Sequence, residues 1–268
     1  MHGRGLHQWH HGEAAPAIWL LAGTGEGPPL AQTLLERGWR LLVSVVTPEA
    51  ARAYPAHPRL TVQVGALADL TAAEATLEAL QPHWVVDATH PFAAQLSALL
   101  EAACSRRRQP LLRLERQAVQ ATESLRLERL PTLGALADRD LSGERLLLAI
   151  GSRHLPAALA ASSASAHYAR LLDRPASLQL ALAAGLPDQQ LACLRPDRKG
   201  QGTVERALCR RWRITAVLCR QSGGAGEALW QQICGDLGLR LLLLERPQPA
   251  TAAKPLPLAA LLEKLGRP

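Results

Sequence analysis

Asp87-Ala88-Thr89-His90-Pro91-Phe92-Ala93 gathers a carboxylate, a hydroxyl and an imidazole in one short turn. The apolar run Trp84–Ala88 leads into it. Ligands of open α/β sheets sit beyond the carboxyl ends of strands, so this turn is placed for chemistry. An imidazole with an ordinary pKa of about 6.5 suits proton donation. His90 and Asp87 are therefore the candidate catalytic residues, with Thr89 a positioning residue expected to bind the cofactor. The alternative is that His90 only ties down the turn. Pro91 is expected to open the next helix, Phe92–Ala103.

A second motif, Gly23-Thr24-Gly25-Glu26-Gly27-Pro28-Pro29, follows the apolar run Ile18–Leu21. Glycines there let the backbone turn tightly and approach a pyrophosphate, which the following helix N-terminus attracts. Proline suits a first helical turn, where its missing N–H is no loss. The spacing is GxGxG, and no P-loop lysine follows, which weighs against a nucleoside triphosphatase. A plain tight βα turn has a similar sequence. Gly23, Thr24, Gly25, Glu26 and Gly27 are the candidate cofactor-binding residues.

The next strand, Leu41–Val46, ends without a carboxylate before Glu49. NAD-binding sheets usually place Asp or Glu there to accept the ribose hydroxyl. Ser44 and Thr47 occupy the region, with Arg52 nearby, which favours NADP. Ser44 and Thr47 are expected to line the ribose phosphate, and Ser44→Asp is expected to penalise NADPH.

Three further turns follow strands in the second half: Gly151-Ser152-Arg153, Ser222-Gly223-Gly224 and Glu245-Arg246-Pro247. Glycine-rich turns with hydroxyls and guanidinium groups suit carboxylate recognition. Individually each is no more than a loop; together they make a candidate anion-binding wall. Ser222 is not set in a GxSxG elbow and has no evident triad partners.

The elements that must position these turns alternate as strand and helix. Beyond those named, strands are expected at Arg59–Val64, Leu111–Leu114, Leu146–Ile150, His167–Leu171, Leu191–Leu194, Ile214–Cys219 and Leu239–Leu244. Helical spacing covers Leu30–Glu36, Thr71–Leu80, Leu155–Ala160, Ser177–Ala184, Val204–Arg211, Glu227–Leu237 and Leu258–Leu265. That rhythm predicts an α/β protein with parallel sheets covered on both faces. We expect two tandem Rossmann-like domains with a cleft between them, the first- and second-half turns sharing it. Residues 1–17 are expected to be a disordered tail, 18–141 a dinucleotide-binding domain and 142–268 a second domain. The polar stretch Gln117–Leu141 is the expected connection.

Composition bounds the partners. The 268 residues carry a formal charge of +7 but only 3% aromatics. The basic residues are scattered, so an acidic small ligand is favoured over nucleic acid. No run approaches the roughly 20 apolar residues of a bilayer-spanning helix. Five cysteines without CxxC spacing argue against a disulfide framework and for a reducing cytoplasm. The histidines of the N-terminal stretch, His2, His7, His10 and His11, lack a rigid element to fix a metal geometry, and no metal is expected. The oligomeric state is open, and a monomer is compatible with the sequence.

In this order the motifs resemble the precorrin-6A reductase family of cobalamin biosynthesis. The resemblance rests on Gly23, Thr24 and Glu26, on Asp87–Ala93, on Leu112-Arg113-Leu114-Glu115-Arg116, on Ser222-Gly223-Gly224 and on Arg246-Pro247. It implies a two-domain reductase that uses NADPH on a ring double bond of a polycarboxylate tetrapyrrole, metal-free or cobalt-loaded. Together with the strand-end turn Gly151, Ser152 and Arg153, the candidate substrate contacts are then Arg116, Ser222, Gly223, Gly224 and Arg246. The chain departs from the family's pattern where Arg220 stands for a lysine, Gln117 follows Arg116 in place of proline, and Leu194-Arg195-Pro196-Asp197 replaces Gly-Pro-Phe. Two rivals are a sugar-nucleotide epimerase or reductase and a noncatalytic redox-sensing module. Neither Tyr54 nor Tyr168 has the lysine that the first requires, and no DNA-binding element supports the second.

Overall fold

The computed structural model describes residues 16–23, 25–121, 125–195, 201–247 and 254–268. The predicted N-terminal tail falls mostly outside the described residues, as does Thr24. Ala17 does not belong to a tail: it opens the first strand and is buried.

In chain order the first unit runs β1 Ala17–Ala22, α1 Gly27–Glu36, β2 Arg40–Val45, α2 Pro48–Ala51, β3 Leu60–Val64, α3 Leu70–Leu80, β4 Trp84–Ala88, α4 Ala94–Arg106 and β5 Leu111–Leu114. The second unit runs β6 Leu127–Leu130, β7 Arg145–Ala149, α5 Leu155–Ala161, β8 Ala166–Leu172, α6 Pro175–Ala183, β9 Leu191–Leu194, α7 Thr203–Arg211, β10 Ala216–Arg220, α8 Ala225–Leu237 and β11 Arg240–Leu244. Strand β12, Pro255–Leu256, and helix α9, Leu258–Leu265, then return to the first unit.

Among the described residues each unit holds one six-stranded sheet, in the orders β12-β5-β4-β1-β2-β3 and β6-β11-β10-β7-β8-β9. Every strand pair is parallel. The five-strand arrangement β5-β4-β1-β2-β3 reappears as β11-β10-β7-β8-β9, each extended by a sixth edge strand. No sequence repeat announces this likeness.

The apolar runs form strands because both faces of a parallel sheet are buried. Along β1, Ile18 and Leu20 pack against Leu30 and Leu34 of α1 and Leu261 and Leu265 of α9. The alternate residues Trp19 and Leu21 pack against Leu77 of α3 and Leu100 and Cys104 of α4. In the second unit, Val217 and Leu241 meet Trp230 and Ile233 of α8.

The domain boundary differs from the sequence-based expectation. The units divide between Arg116 and Gln117 rather than after Leu141. The expected connection contains β6, which pairs with β11. Its residues Leu127-Glu128-Arg129-Leu130 carry no apolar run because the strand lies at a sheet edge. It is secured by Arg240, whose Nε and Nη2 donate to Glu128 at 2.7 and 3.0 Å. The last residues, placed by sequence in the second domain, belong to the first. β12 pairs with β5, and Glu115 N donates to Leu256 O at 2.8 Å.

Helix α4 begins at Ala94, not at Pro91. The intervening residues are held as a turn: Ala93 N donates to His90 O at 2.7 Å and Phe92 N donates to His90 Nδ1 at 3.2 Å.

Candidate active site

In each sheet the chain order reverses between two adjacent central strands, β1 and β4 in the first and β7 and β10 in the second. Ligands of open α/β sheets bind outside the strand ends at such reversals. The Gly23 turn follows β1 and the Asp87 turn follows β4, so the sheet brings these two motifs together in the first unit.

The glycines of the first turn divide by role. A Cβ on Gly23 or Gly25 would meet nothing within 4 Å, so the backbone there is bare. A Cβ on Gly27 would lie 2.1 Å from Tyr54 Oη and 2.6 Å from Ala22 Cβ. Gly27 is thus required for packing the helix start on β1, while Gly23 and Gly25 leave room for a ligand. Those are the separate glycine roles that a pyrophosphate turn needs, and the turn fits a dinucleotide on this ground.

Tyr54, buried, donates from Oη to Gly23 O at 2.8 Å and holds the turn from behind. Burial pushes its phenol well above the usual range, so it remains a donor. Sequence reasoning weighed Tyr54 only as a catalytic tyrosine and missed this role. Nothing local marks it, because its partner lies far upstream in the chain.

Asp87 is 3% exposed. Its Oδ1 accepts from Thr89 N at 3.0 Å and Thr89 Oγ1 at 2.6 Å, and its Oδ2 accepts from Ser97 Oγ at 2.6 Å. Arg113, its register partner on β5, brings Nε to 3.8 Å. With this many donors the carboxylate organises the turn. His90 is half-buried and its ring tilts against Phe92 at 5.7 Å. A neutral imidazole that accepts at Nδ1 carries its proton on Nε2, the atom from which it can donate.

Arg116 lies at this edge too. Its Nη2 is 2.7 Å from Glu26 Oε2, with the arginine side chain 11% exposed. The two arginines of Leu112-Arg113-Leu114-Glu115-Arg116 thus pair with the carboxylates of the two other first-unit motifs, Asp87 and Glu26. Arg116 is thus placed beside the glycine turn of its own unit.

Ser44 and Thr47 are engaged internally. Ser44 Oγ accepts from the indole N–H of buried Trp19 at 2.9 Å, and Thr47 caps α2 by accepting from Ala50 N at 3.3 Å. The first residue past β2 is Val46, 60% exposed.

In the second unit, Gly151-Ser152-Arg153 follows β7, Ser222-Gly223-Gly224 follows β10 and Arg246 follows β11. These strands are adjacent and parallel, so the three turns share one edge. Gly151 and Gly223 adopt φ of +88° and +68°, a region that favours glycine. Gly223 N donates to buried Glu227 at 2.7 Å, and Gln231 Nε2 braces that carboxylate at 3.1 Å. Arg246 donates through Nε to Gln221 O at 3.1 Å and through Nη2 to Gln117 O at 3.4 Å.

Two further residues complete this edge. Arg220, the last residue of β10, is largely buried, and its Nη2 lies 3.8 Å from where a Gly151 Cβ would stand. His154 is held below the ordinary imidazole range by burial, then by the charges of Arg220 and Arg153. Arg153, Arg220 and Arg246 thus bring three guanidinium groups to this edge. The family's lysine at the position of Arg220 was the available signal. Among the described residues, no cluster of His, Cys, Asp or Glu is placed to hold a metal ion, and no helix is long and apolar enough to cross a membrane.

The fold and the first turn define a class: a pair of parallel-sheet α/β units, the first with the strand order and glycine turn of a dinucleotide-binding half. Residues 17–263 match the family model described as Precorrin-6x reductase CbiJ/CobK, and the chain belongs to that family. It is 33% identical over 244 residues to the cobalt-precorrin-6A reductase of Synechocystis sp., covering 88% of this chain and 90% of that one. It is 33% identical over 230 residues to the precorrin-6A reductase of Rhodobacter capsulatus, covering 85% and 87%. The solved structure of CobK precorrin-6A reductase aligns with a TM-score of 0.75 at 29% identity, over 94% of this chain and 99% of that one.

Proposed function

We propose that this chain reduces a ring double bond of precorrin-6A or cobalt-precorrin-6A with NADPH, in the cytoplasm. The observation that carries the reading is the Gly23–Gly27 turn, bare at Gly23 and Gly25 and packed shut at Gly27, in a chain of the reductase family.

The residues that would hold the dinucleotide are Gly23, Thr24, Gly25 and Gly27, with Glu26 and Thr89 at the rim. Bound NADPH supplies the hydride, and a proton completes the two-hydrogen reduction. His90 is the proton donor in this reading: it acts as the imidazolium, so that loss of the Nε2 proton leaves a neutral ring, and Nδ1 gives up its bond from Phe92 N for that step. Asp87 acts by fixing the turn that presents it. Arg153, Arg220 and Arg246, with the turns at Gly151–Ser152 and Ser222–Gly224, bind carboxylates of the substrate. Guanidinium groups with backbone N–H donors are the usual partners of such groups. The absence of a carboxylate at the end of β2 supports NADPH over NADH, because Asp or Glu there would repel the ribose phosphate.

Anaerobic incubation with NADPH and either substrate, read by mass spectrometry, tests the reading. A two-hydrogen gain with matching NADPH oxidation is expected. Tight dinucleotide binding without that gain on either substrate would overturn it in favour of a noncatalytic role.

A further inference from the structure

We propose that Arg116 is a positioning residue for the dinucleotide, acting by neutralising Glu26 at the start of α1. The inference rests on the reading that the Gly23–Gly27 turn takes a dinucleotide.

A helix N-terminus attracts anions through its unsatisfied N–H groups and its dipole. That of α1 is poorly supplied with donors. Pro28 and Pro29 have no N–H, and Leu30 N is already bonded to Glu26 O at 3.1 Å. Glu26 stands at the N-cap and makes no bond to the helix amides, because the two positions that would offer them are prolines. Its carboxylate turns to Arg116, at 2.7 Å. Left alone, a carboxylate at this point competes with a pyrophosphate for the same positive end and repels it. Paired, the two side chains are neutral together. Arg116 follows β5, so the sheet sets the guanidinium independently of the turn that it serves.

Opposite signs follow for the two partners. Removing Arg116 leaves a bare carboxylate beside the pyrophosphate. Removing the Glu26 charge takes away the negative charge that opposes the pyrophosphate. Removing both restores neutrality.

The test is titration of NADPH by calorimetry into the full chain and into Arg116→Met, Glu26→Gln and the double variant. Thermal melts and kcat at saturating NADPH are read alongside. Arg116→Met is expected to weaken binding about tenfold and Glu26→Gln to tighten it about threefold. The double variant is expected to return to within about twofold of the native chain. Arg116→Lys, which keeps the charge, should stay close to native in its affinity for NADPH. If Arg116→Met does not fold, Glu26→Gln and Arg116→Lys still carry the sign test. Weaker binding in Glu26→Gln, or a double variant as weak as Arg116→Met, would overturn the inference. Native protein that fails to bind NADPH would instead overturn the reading on which it rests.

Discussion

Tyr54 governs the glycine turn without facing a ligand itself. Its hydroxyl donates to Gly23 O and fills the space that only a glycine at position 27 leaves. Tyr54→Phe is expected to lower stability by about 1 kcal/mol, the usual worth of such a bond. It should weaken NADPH binding several-fold with kcat unchanged, and a native Kd would refute the positioning role. Cofactor choice is better probed at Val46 than at Ser44, whose oxygen already serves the Trp19 indole. Val46→Asp puts a carboxylate at an exposed site one residue past β2. It is expected to cost NADPH far more affinity than NADH; equal losses would sink the argument. His90→Asn should reduce turnover while Kd and Tm hold. If all three fall together, the imidazole serves only the turn. His154 bears on pH. Burial and two neighbouring arginines disfavour its cation in the folded chain, so the folded state binds fewer protons than the unfolded one. Its contribution to stability is therefore full above about pH 6.5 and declines as the pH falls below that. His154→Gln should flatten that part of the Tm–pH profile, and an unchanged profile would discount the group.

Secondary elements were readable in the sequence wherever both sheet faces are buried. The apolar runs of β1, β4, β7 and β11 announced themselves, and so did the helices between the strands, α2 excepted. Two strands did not. β6 is polar because it sits at an edge and is held by Glu128 and Arg240, remote in sequence. β12 is a two-residue strand beginning with proline, visible only through its pairing with β5. The candidate site shows the same division. Asp87, the glycine turn and the second-unit turns were readable as local strings, but their partners Tyr54, Ser97, Arg113 and Arg220 come from other elements. Helix α9 tests how much the first unit depends on its late segment. Leu261 is fully buried among β1, β2 and α1 residues, Trp39 Nε1 donates to Gly266 O at 3.3 Å, and Arg37 donates to Leu262 O. Leu261→Ala is expected to destabilise by about 2–5 kcal/mol. Hydrogen exchange should quicken at amides of β1, β2 and β5 and stay unchanged at β7 and β10. Uniform quickening would contradict that locality.

The whole molecule is one α/β unit interrupted by another. The chain leaves the first sheet after β5, builds the second unit, and only then returns with β12 and α9. Sequence order alone predicted two tandem domains because nothing in a linear reading distinguishes a final helix of one from that of the other. The consequence lies in the order of synthesis. About 140 residues separate the end of β5 from β12. At ribosomal speeds of about 5–20 residues per second, that interval is on the order of ten to thirty seconds. Throughout it the nascent first sheet exposes the edge of β5 and lacks the two leucines of α9 that close its core. The second unit, by contrast, has every strand of its sheet once β11 emerges. The half that begins first is therefore completed last, and a chain stalled between the two would display an unpaired strand edge of the kind that chaperones shield.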